Sequence, residues 1–373
     1  MGATMGGLND TFTAPRPRPA AAEHRARETH PTVRGVRESD QPALVAFLTE
    51  AYPEWRENPS LAARYYAWKY FDLDGRATNF PSALIAEDEQ GIAGMIGCLP
   101  FALRRRGITS PAGWISDWRL ASRSRGQGLG RELLRRAIAA IPTLACVNGS
   151  EEAERLYAEF GLSCRECART WLLVRHPLRY EWPRRRGVRK PAGLVRAAQH
   201  AARGRAPEAR ATVDVRLVEA SLGILAQGAE EWPAYSGLVR HAGYLAWLGR
   251  SPVAALRAFA VEVDSETIGY LLMQSDVDYL GRRRARILDV LTAATEAETA
   301  RQIFALAVAT APEADYIDAT LPHRLGAAAQ AAGFSPRDGA RLWLTTPLDG
   351  DEEDWHVTLL DKDDAFRGAR FVP

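Results

Sequence analysis

The sequence predicts an α+β protein of two domains, each a mixed, twisted β-sheet flanked by helices. The chain has 373 residues, which is long for one domain, and its 46% hydrophobic and 25% charged residues are typical of a globular protein. From Thr32 to Arg175 the hydrophobic periodicity predicts the order β, α, α, three strands, and then α, β, α, β. After Arg210 the same landmarks return in the same order, which indicates a second copy of one fold.

The first domain is predicted to open with a strand at 33–36 and two helices. Ser39 has the kind of side chain that caps a helix, and apolar residues follow it at helical spacing. A second helix at about 60–71 is rich in tyrosine and tryptophan, which at this spacing are typical of a core. We expect the three strands that follow at 82–86, 92–103 and 112–120.

A glycine-rich segment from Arg125 to Gly130, with the sequence RGQGLG, follows the third strand and begins an amphipathic helix. Its glycines allow backbone conformations that other residues rarely adopt, and they let phosphate oxygens approach the amides of a helix N-terminus. The segment lacks the Gly-Lys-Ser/Thr of a Walker loop. It also follows at least three strands, whereas a dinucleotide-binding fingerprint follows the first one. The pattern therefore favours a phosphate-binding loop of another kind.

The rest of the first domain is predicted as a short strand, a helix and a last strand. The short strand at 144–147 is apolar throughout, as expected of a buried strand. Ser150 is placed to cap the helix that follows, and Gly161 is placed to end it. The last strand is expected at 170–174.

The second copy repeats single residues of the first at a distance that is constant for the later pairs, whereas the earlier pairs lie 179 and 175 residues apart. Asp289 and Trp343 each lie 172 residues after their counterparts, Asp117 and Trp171. The glycine-rich segment has no counterpart at 291–296, so we expect one phosphate site to be kept and the other lost. The predicted organisation is a disordered tail at 1–31, a domain with the ligand site at 32–175, a basic linker at 176–211, a degenerate domain at 212–346 and an acidic tail at 347–373.

The segment from Arg125 to Gly130 matches in full the Arg/Gln-x-x-Gly-x-Gly/Ala signature of the Gcn5-related N-acetyltransferases, the GNAT superfamily. The resemblance covers about 32–175 and continues through 212–346 as a degenerate copy, so the chain resembles a tandem GNAT protein. It implies that loop amides bind the pyrophosphate of acetyl-CoA or another acyl-CoA, with no metal site. The residues that it implies for cofactor binding are Leu120, Arg125, Gly126, Gln127, Gly128, Leu129, Gly130 and Asn148.

Two side chains are the candidates for catalysis. Tyr157 stands in the Tyr-x-x-Phe-Gly context in which family members often carry a tyrosine that donates a proton to the departing CoA thiolate. Asp117, three residues before Leu120 on the same predicted strand, is the candidate base that deprotonates the amine. A packing role for Tyr157 and a buried, hydrogen-bonded role for Asp117 stay open. The segment from Ala121 to Ser124 departs from the family's usual Asp-Pro-x-Tyr/His, so the approach to the loop is unusual.

Other features narrow the class of protein. Cys164 and Cys167 form one Cys-x-x-Cys pair in a predicted strand, which indicates reduced thiols rather than a zinc ribbon. No run of about 18 apolar residues predicts a membrane span, and the first 30 residues lack the apolar segment of a signal peptide, so a cytoplasmic location is expected. The net charge is +2, and after Tyr180 and Trp182 the basic linker has no interleaved aromatic residues, so nucleic acid is not expected as a partner.

The resemblance implies an acyltransferase that moves acetyl from acetyl-CoA to a primary amine of a small molecule or sugar, by direct attack in a ternary complex. The alternatives are a non-catalytic acyl-CoA-binding sensor or scaffold, and a transferase of an aminoacyl or longer acyl group. The acidic tail is expected to be solvated or else to dock near the sheet through a strand at 355–360, where its carboxylates would attract a cationic amine.

Overall fold

A computed structural model describes most of the chain after residue 30. Almost all of the predicted tail at 1–31 and of the linker at 176–211, and the acidic run at 349–354, lie outside the described residues. The described residues are 31–56, 58–72, 80–181, 214–228, 235–253, 256–278, 280–293, 296–348 and 355–362.

Strands of both halves of the chain form one mixed sheet, which has fourteen strands within the described residues. The strands of the first half are β1 (Thr32–Gly35), β2 (Ala83–Asp88), β3 (Gly91–Arg105), β4 (Ile108–Leu120), β5 (Leu144–Val147) and β6 (Ser163–Val174). Those of the second half are β7 (Val215–Glu219), β8 (Ser236–Leu238), β9 (Leu256–Val263), β10 (Glu266–Val277), β11 (Arg283–Thr292), β12 (Tyr316–Pro322), β13 (Ser335–Leu344) and β14 (Trp355–His356).

Helices cover both faces of this sheet. They are α1 (Gln41–Ala51), α2 (Pro59–Tyr70), α3 (Leu129–Ala140), α4 (Glu151–Glu159), α5 (Pro177–Glu181), α6 (Leu222–Gly228), α7 (Ala242–Gly249), α8 (Ala297–Ala309) and α9 (His323–Ala331). Helices α1, α2 and α7 share one hydrophobic core, to which both halves contribute. Helices α3 and α4 pack in a second core in the first half, and α8 and α9 pack in a third in the second half. The predicted α+β architecture is confirmed.

The strand order reads alike from the two edges of the sheet. It is β1-β2-β3-β4-β5-β13-β6-β12-β11-β10-β9-β7. From either edge, three antiparallel pairs are followed by one parallel pair, which is β4–β5 in the first half and β11–β12 in the second. In the centre, β13 lies between β5 and β6, and β6 pairs with β12. The strand next to β5 is therefore β13 of the second half, and the strand next to β12 is β6 of the first half.

A reciprocal contact between α2 and α7 joins the halves on one face of the sheet. The indole rings of Trp68 and Trp247 stack with their centroids 4.1 Å apart. The Nε1–H of Trp68 donates to the carbonyl of Trp247 at 2.8 Å, and the Nε1–H of Trp247 donates to the carbonyl of Trp68 at 3.2 Å. Such an exchange of identical contacts is what a two-fold relation between the halves produces. The aromatic residues of α2 are core residues, as predicted.

The ends of some elements differ from the prediction. A 3-10 turn precedes α1, so Asp40, not Ser39, occupies the position before its first residue. Asp40 accepts hydrogen bonds from the guanidinium of Arg34, which fixes this turn against β1. Strand β6 begins at Ser163, earlier than predicted, because it pairs with β12 and β13 along most of its length. Ser150 caps α4 as predicted.

Candidate functional site

A cleft opens where β4 and β5 diverge. These parallel strands pair only through Gly113 with Leu144 and Trp114 with Ala145, and beyond those residues they separate. The cleft has a volume of about 470 Å³, and its walls include residues 115–120 of β4, the segment that follows β5, and α4. That volume lies within the range of about 300–1,000 Å³ found for small-molecule sites.

The glycine-rich segment forms the start of α3 at the edge of this cleft. Gly126 and Gly128 have φ angles of +76° and +80°, in the left-handed region that favours glycine. A Cβ at either residue would meet no atom of the described chain within 4 Å, so the segment faces open space. Gly128 precedes the first turn of α3, where N–H groups have no partner within the helix. The amides and the helix dipole therefore make this position suitable for an anion.

The other residues of the segment have different surroundings. Arg125 and Gln127 are exposed, whereas the side chain of Leu129 is buried in the core below α3. Gly130 lies in the wall of the cleft, and a Cβ there would make ordinary contacts at 3.6 Å with Leu120 and Trp118. Packing within the chain therefore does not require glycine at 130.

Leu120 and Asn148 stand on opposite sides of the cleft. Leu120 ends β4 and packs so closely on Gly94 of β3 that a Cβ at 94 would lie 2.6 Å from it. Asn148 follows β5 with a φ of +58°, and its side-chain oxygen accepts the backbone N–H of Arg341 at 2.8 Å. Asn148 thus joins β5 to β13, and its contact with a cofactor stays a prediction.

Tyr157 reaches the same cleft from α4. Its ring is buried between the rings of Trp118 and Trp343, with centroid distances of 5.8 and 5.7 Å. Its hydroxyl donates to the Sγ of Cys146 at 3.6 Å, a weak bond that a stronger acceptor would displace. Tyr157 is therefore both packed and positioned at the cleft, so the two interpretations of this residue do not exclude each other.

Asp117 is a buried member of an ion pair. One of its carboxylate oxygens, Oδ2, accepts the ammonium of Lys69 at 2.5 Å and the hydroxyl of Tyr70 at 2.6 Å, both from α2. Its φ of +44° is unusual for a residue other than glycine and coincides with an irregularity in the pairing of β3 and β4. Asp117 is thus hydrogen-bonded to a helix and not to a neighbouring strand. This geometry agrees with the buried, hydrogen-bonded role of Asp117, and Asp117 also lies in the wall of the cleft, as the catalytic role requires.

The variant Asp117→Asn separates these roles. We expect it to lower the free energy of unfolding by about 3 kcal/mol or more, because Lys69 would keep its buried charge without a carboxylate. Chemical denaturation measures this loss. Turnover at a temperature where the variant is folded then tests the base: a loss of about 100-fold or more in kcat assigns it. A kcat within tenfold of the parent assigns the purely structural role.

The residues of the cleft that the sequence did not single out include Tyr52, Arg119 and Lys362. Tyr52 follows α1, and the guanidinium of the exposed Arg119 lies 4.3 Å from the centre of its ring. Lys362 comes from the C-terminal segment and donates to the hydroxyl of Thr170 at 3.1 Å. Because side chains alternate along a strand, Arg119 is expected on the same face of β4 as Asp117, and the sequence could have identified it. No local signal connects residue 362 with this cleft.

The C-terminal segment, residues 355–362, packs against β11 and β12, the parallel pair of the second half. Its strand β14 pairs with β8, and the predicted docking near the sheet is what the structure has. Its carboxylate Asp361 is buried, accepts the guanidinium of Arg240 at 2.9 Å and does not face solvent to attract an amine. The other acidic residues of the tail lie outside the described residues.

Asp289, the counterpart of Asp117, is the centre of a buried polar cluster that holds this segment. It accepts hydrogen bonds from Arg240 at 2.7 Å, from Tyr270 at 2.6 Å and from His356 at 3.0 Å. Burial alone would raise the pKa of Asp289, but the charge of Arg240 and the hydrogen bond from His356 outweigh it and hold that pKa well below its usual range. Burial lowers the pKa of His356, whose Nδ1 accepts from Arg324 at 2.7 Å. In the second half, the aspartate at this position therefore has a structural role, because it joins β11 to the C-terminal segment.

Two further features of the described residues bear on the class of protein. Among them no helix is long and apolar enough to cross a bilayer. Among them also no group of three or more histidine, cysteine, aspartate or glutamate residues is arranged to hold a metal ion. All four cysteines are free thiols, and Cys164 and Cys167 lie in the part of strand β6 that precedes the predicted range of 170–174.

Comparison by sequence gives one family. Residues 42–162 match the family described as acetyltransferase (GNAT) family. The match contains β2, β3, β4 and β5, the glycine-rich segment and Tyr157, and so most of the cleft. No curated protein matches the chain significantly in sequence.

Comparison by structure extends further along the chain. A GCN5-related N-acetyltransferase from Anabaena variabilis ATCC 29413 is 14% identical over 84% of this chain and 72% of its own, with a TM-score of 0.57. N-myristoyltransferase from Saccharomyces cerevisiae, with bound myristoyl-CoA, is 11% identical over 89% and 84%, with a TM-score of 0.53. A probable N-acyltransferase from Enterococcus faecalis V583 is 10% identical over 84% and 72%, also at 0.53. At these identities the likeness is one of fold, and it includes the second half.

Proposed function

We propose that this acyltransferase, whose residues 42–162 form a domain of the GNAT family, transfers acetyl from acetyl-CoA to a primary amine of a small molecule or sugar. The observation that carries the proposal is that Gly130 at the start of α3, Asn148 after β5 and Tyr157 of α4 all line one cleft. The candidate phosphate-binding helix start and the candidate proton donor therefore border one space. That is the arrangement that an acyl-CoA reaction requires.

The donor is proposed to bind with its pyrophosphate at the amides of 126–130. Its thioester would lie in the cleft near Leu120, where a backbone amide of β4 would polarise the carbonyl. No side chain of the segment needs to carry charge for this, since the amides and the helix dipole supply the attraction. Arg125, exposed at the edge of the segment, adds a positive charge near the phosphates.

The reaction is proposed as a direct attack in a ternary complex. The amine nitrogen forms a bond to the thioester carbon, and the carbon–sulfur bond then breaks with its electron pair on sulfur. Tyr157 donates its hydroxyl proton to that thiolate, and the proton lost by the amine goes to Asp117, directly or through a water. Holding both reactants in the cleft supplies much of the rate by removing the entropy cost of their encounter.

The second half is inferred to be a duplicated copy whose own site has been lost. Three features support this: the matching strand order, the reciprocal contact of Trp68 with Trp247, and the pairing of the last strands across the halves. The C-terminal segment packs on the parallel strands β11 and β12, the counterpart of the pair that opens the cleft in the first half. The second half thus supports the first site, to which the C-terminal segment brings Lys362.

Tyr157→Phe is expected to lower kcat by about 100-fold or more, because the thiolate would leave without its proton donor. The KM for acetyl-CoA should change by no more than a few fold, since the ring and its packing are kept. A free-thiol assay with a saturating amine measures both constants. Tyr66→Phe, an equally buried tyrosine in α2 outside the cleft, is the matched control and should keep the parent kcat. Unchanged turnover in Tyr157→Phe would show that another group donates the proton.

A non-catalytic acyl-CoA sensor is the second candidate. It is favoured by the fact that both candidate catalytic groups already have partners, Tyr157 with Cys146 and Asp117 with Lys69. Calorimetry with acetyl-CoA and thiol release with a panel of amines separate the two. Tight binding without release of CoA for any amine would favour the sensor.

A further inference from the structure

A small second cavity lies beside the cleft, on the face of the sheet that carries α2. Its volume is about 40 Å³, and it shares Ser116 and Lys362 with the cleft. Both halves and the C-terminal segment build it: Leu99 and Trp114 come from β3 and β4, Leu238 from β8, Trp247 from α7, and Leu360 from the segment after β14. Neither the glycine-rich segment nor Tyr157 borders it.

The walls of this cavity suit a hydrocarbon group. Leu99, Trp114, Leu238 and Leu360 are each less than 10% exposed. Two polar groups at its edge already have partners within the protein, since Lys69 pairs with Asp117 and Oδ2 of Asp361 pairs with Arg240. Oδ1 of Asp361 has no hydrogen-bond partner among the described residues, but it is itself buried. An occupant therefore gains mainly by burying apolar surface.

The size of the cavity limits the occupant to a few atoms. A single water needs about 10–15 Å³ measured in this way, so 40 Å³ corresponds to roughly three small groups. An acetyl group at the thioester would reach only the entrance near Ser116. Two or three further carbons would fill the cavity, which corresponds to an acyl group of four or five carbons.

We propose that this cavity holds the acyl chain of the donor, so that acyl-CoA donors with short saturated acyl groups of four or five carbons, straight or branched, bind more tightly than acetyl-CoA. The inference rests on the proposed function, because it needs the thioester to lie in the cleft beside Ser116. The acceptor amine has a separate path, since the cleft is open to solvent at Arg119. Most residues around the cavity are buried and come from both halves, as suits a group that arrives attached to its carrier.

The binding of an acyl-CoA series to the full chain tests this. CoA, acetyl-CoA, butyryl-CoA, isovaleryl-CoA and octanoyl-CoA are titrated by calorimetry, which needs no acceptor. Each methylene buried in the cavity is expected to tighten binding by about fourfold, so the Kd of butyryl-CoA should be about 15-fold below that of acetyl-CoA. Octanoyl-CoA should bind more weakly than butyryl-CoA, because the cavity has no room for it.

Two variants connect this preference to the cavity. Leu238→Phe fills it and should bring butyryl-CoA back to the Kd of acetyl-CoA. Leu360→Ala enlarges it and should move the optimum towards six carbons, so either variant suffices if the other fails to fold. Leu325→Ala removes an equally buried leucine from α9, away from the cavity, and should keep the parent order of affinities.

The outcomes distinguish the inference from the proposed function. A Kd that is equal for acetyl, butyryl and isovaleryl-CoA overturns the acyl-chain assignment while the CoA site stands. Absence of binding for every member, CoA included, overturns the proposed function itself. A change of affinity for the amine in Leu238→Phe, with the acyl order unchanged, would instead assign the cavity to the acceptor and overturn the inference.

Discussion

Replacing Gly128 by tryptophan is expected to weaken acyl-CoA binding by about 100-fold or more while the protein stays folded. The phosphates are expected to accept hydrogen bonds from several amides of this segment, and each such bond to a charged group contributes about 1.5–3 kcal/mol, so the loss of two gives this factor. The φ of Gly128 is +80°, so a side chain there would also shift the backbone that presents the amides. Calorimetry with acetyl-CoA measures the effect.

Gly107 provides a matched control for this variant. It lies in the turn between β3 and β4, with a φ of +78° and with open space where a Cβ would stand, so Gly107→Trp strains the backbone to a similar degree. Both variants should lose about 1–2 kcal/mol of stability. Binding should be lost only in Gly128→Trp, and binding retained there would show that the cofactor does not use this helix start.

Arg240→Met is expected to destabilise the protein by about 3–5 kcal/mol, because it would leave two buried carboxylates without their shared cation. The guanidinium of Arg240 binds Asp289 and Asp361, and all three side chains are at most 2% exposed. Asp361 belongs to the C-terminal segment, so the variant should also release that segment and make it sensitive to proteases. Chemical denaturation and limited proteolysis measure the two effects.

The control for this variant is an ion pair at the surface. Arg283 pairs with Glu313, and both side chains are about half exposed or more. Arg283→Met should therefore change the stability by less than about 1 kcal/mol. A similar small loss for Arg240→Met would mean that the buried cluster does not hold the C-terminal segment.

Much of the fold could be predicted because its signals are local. The apolar strand at 144–147, the cap at Ser150 and the glycine-rich segment each depend on a few neighbouring residues, and all three lie where they were expected. The start of α1 was missed because Asp40 competes with Ser39 and has Arg34 as an additional partner, which lies in another element.

The arrangement of the halves could not be predicted in the same way. The insertion of β13 between β5 and β6 depends on pairing between residues more than 150 positions apart. The hydrophobic patterns of β6 and β13 are each compatible with either position in the sheet. The candidate site shows the same limit. The segment from 125 to 130 and Tyr157 were identified from motifs, whereas the pairing of Lys69 with Asp117 and the position of Lys362 at the cleft depend on tertiary packing.

The cleft between β4 and β5 is proposed to transfer an acyl group to an amine. The most direct test incubates the full chain with acetyl-CoA and pooled amines and follows both thiol release and the masses of the products. We expect amine-dependent release of CoA together with an acetylated amine, and the loss of both in Tyr157→Phe. Tight binding of acetyl-CoA with no amine-dependent thiol release and no acetylated product would show that the cleft does not transfer acetyl.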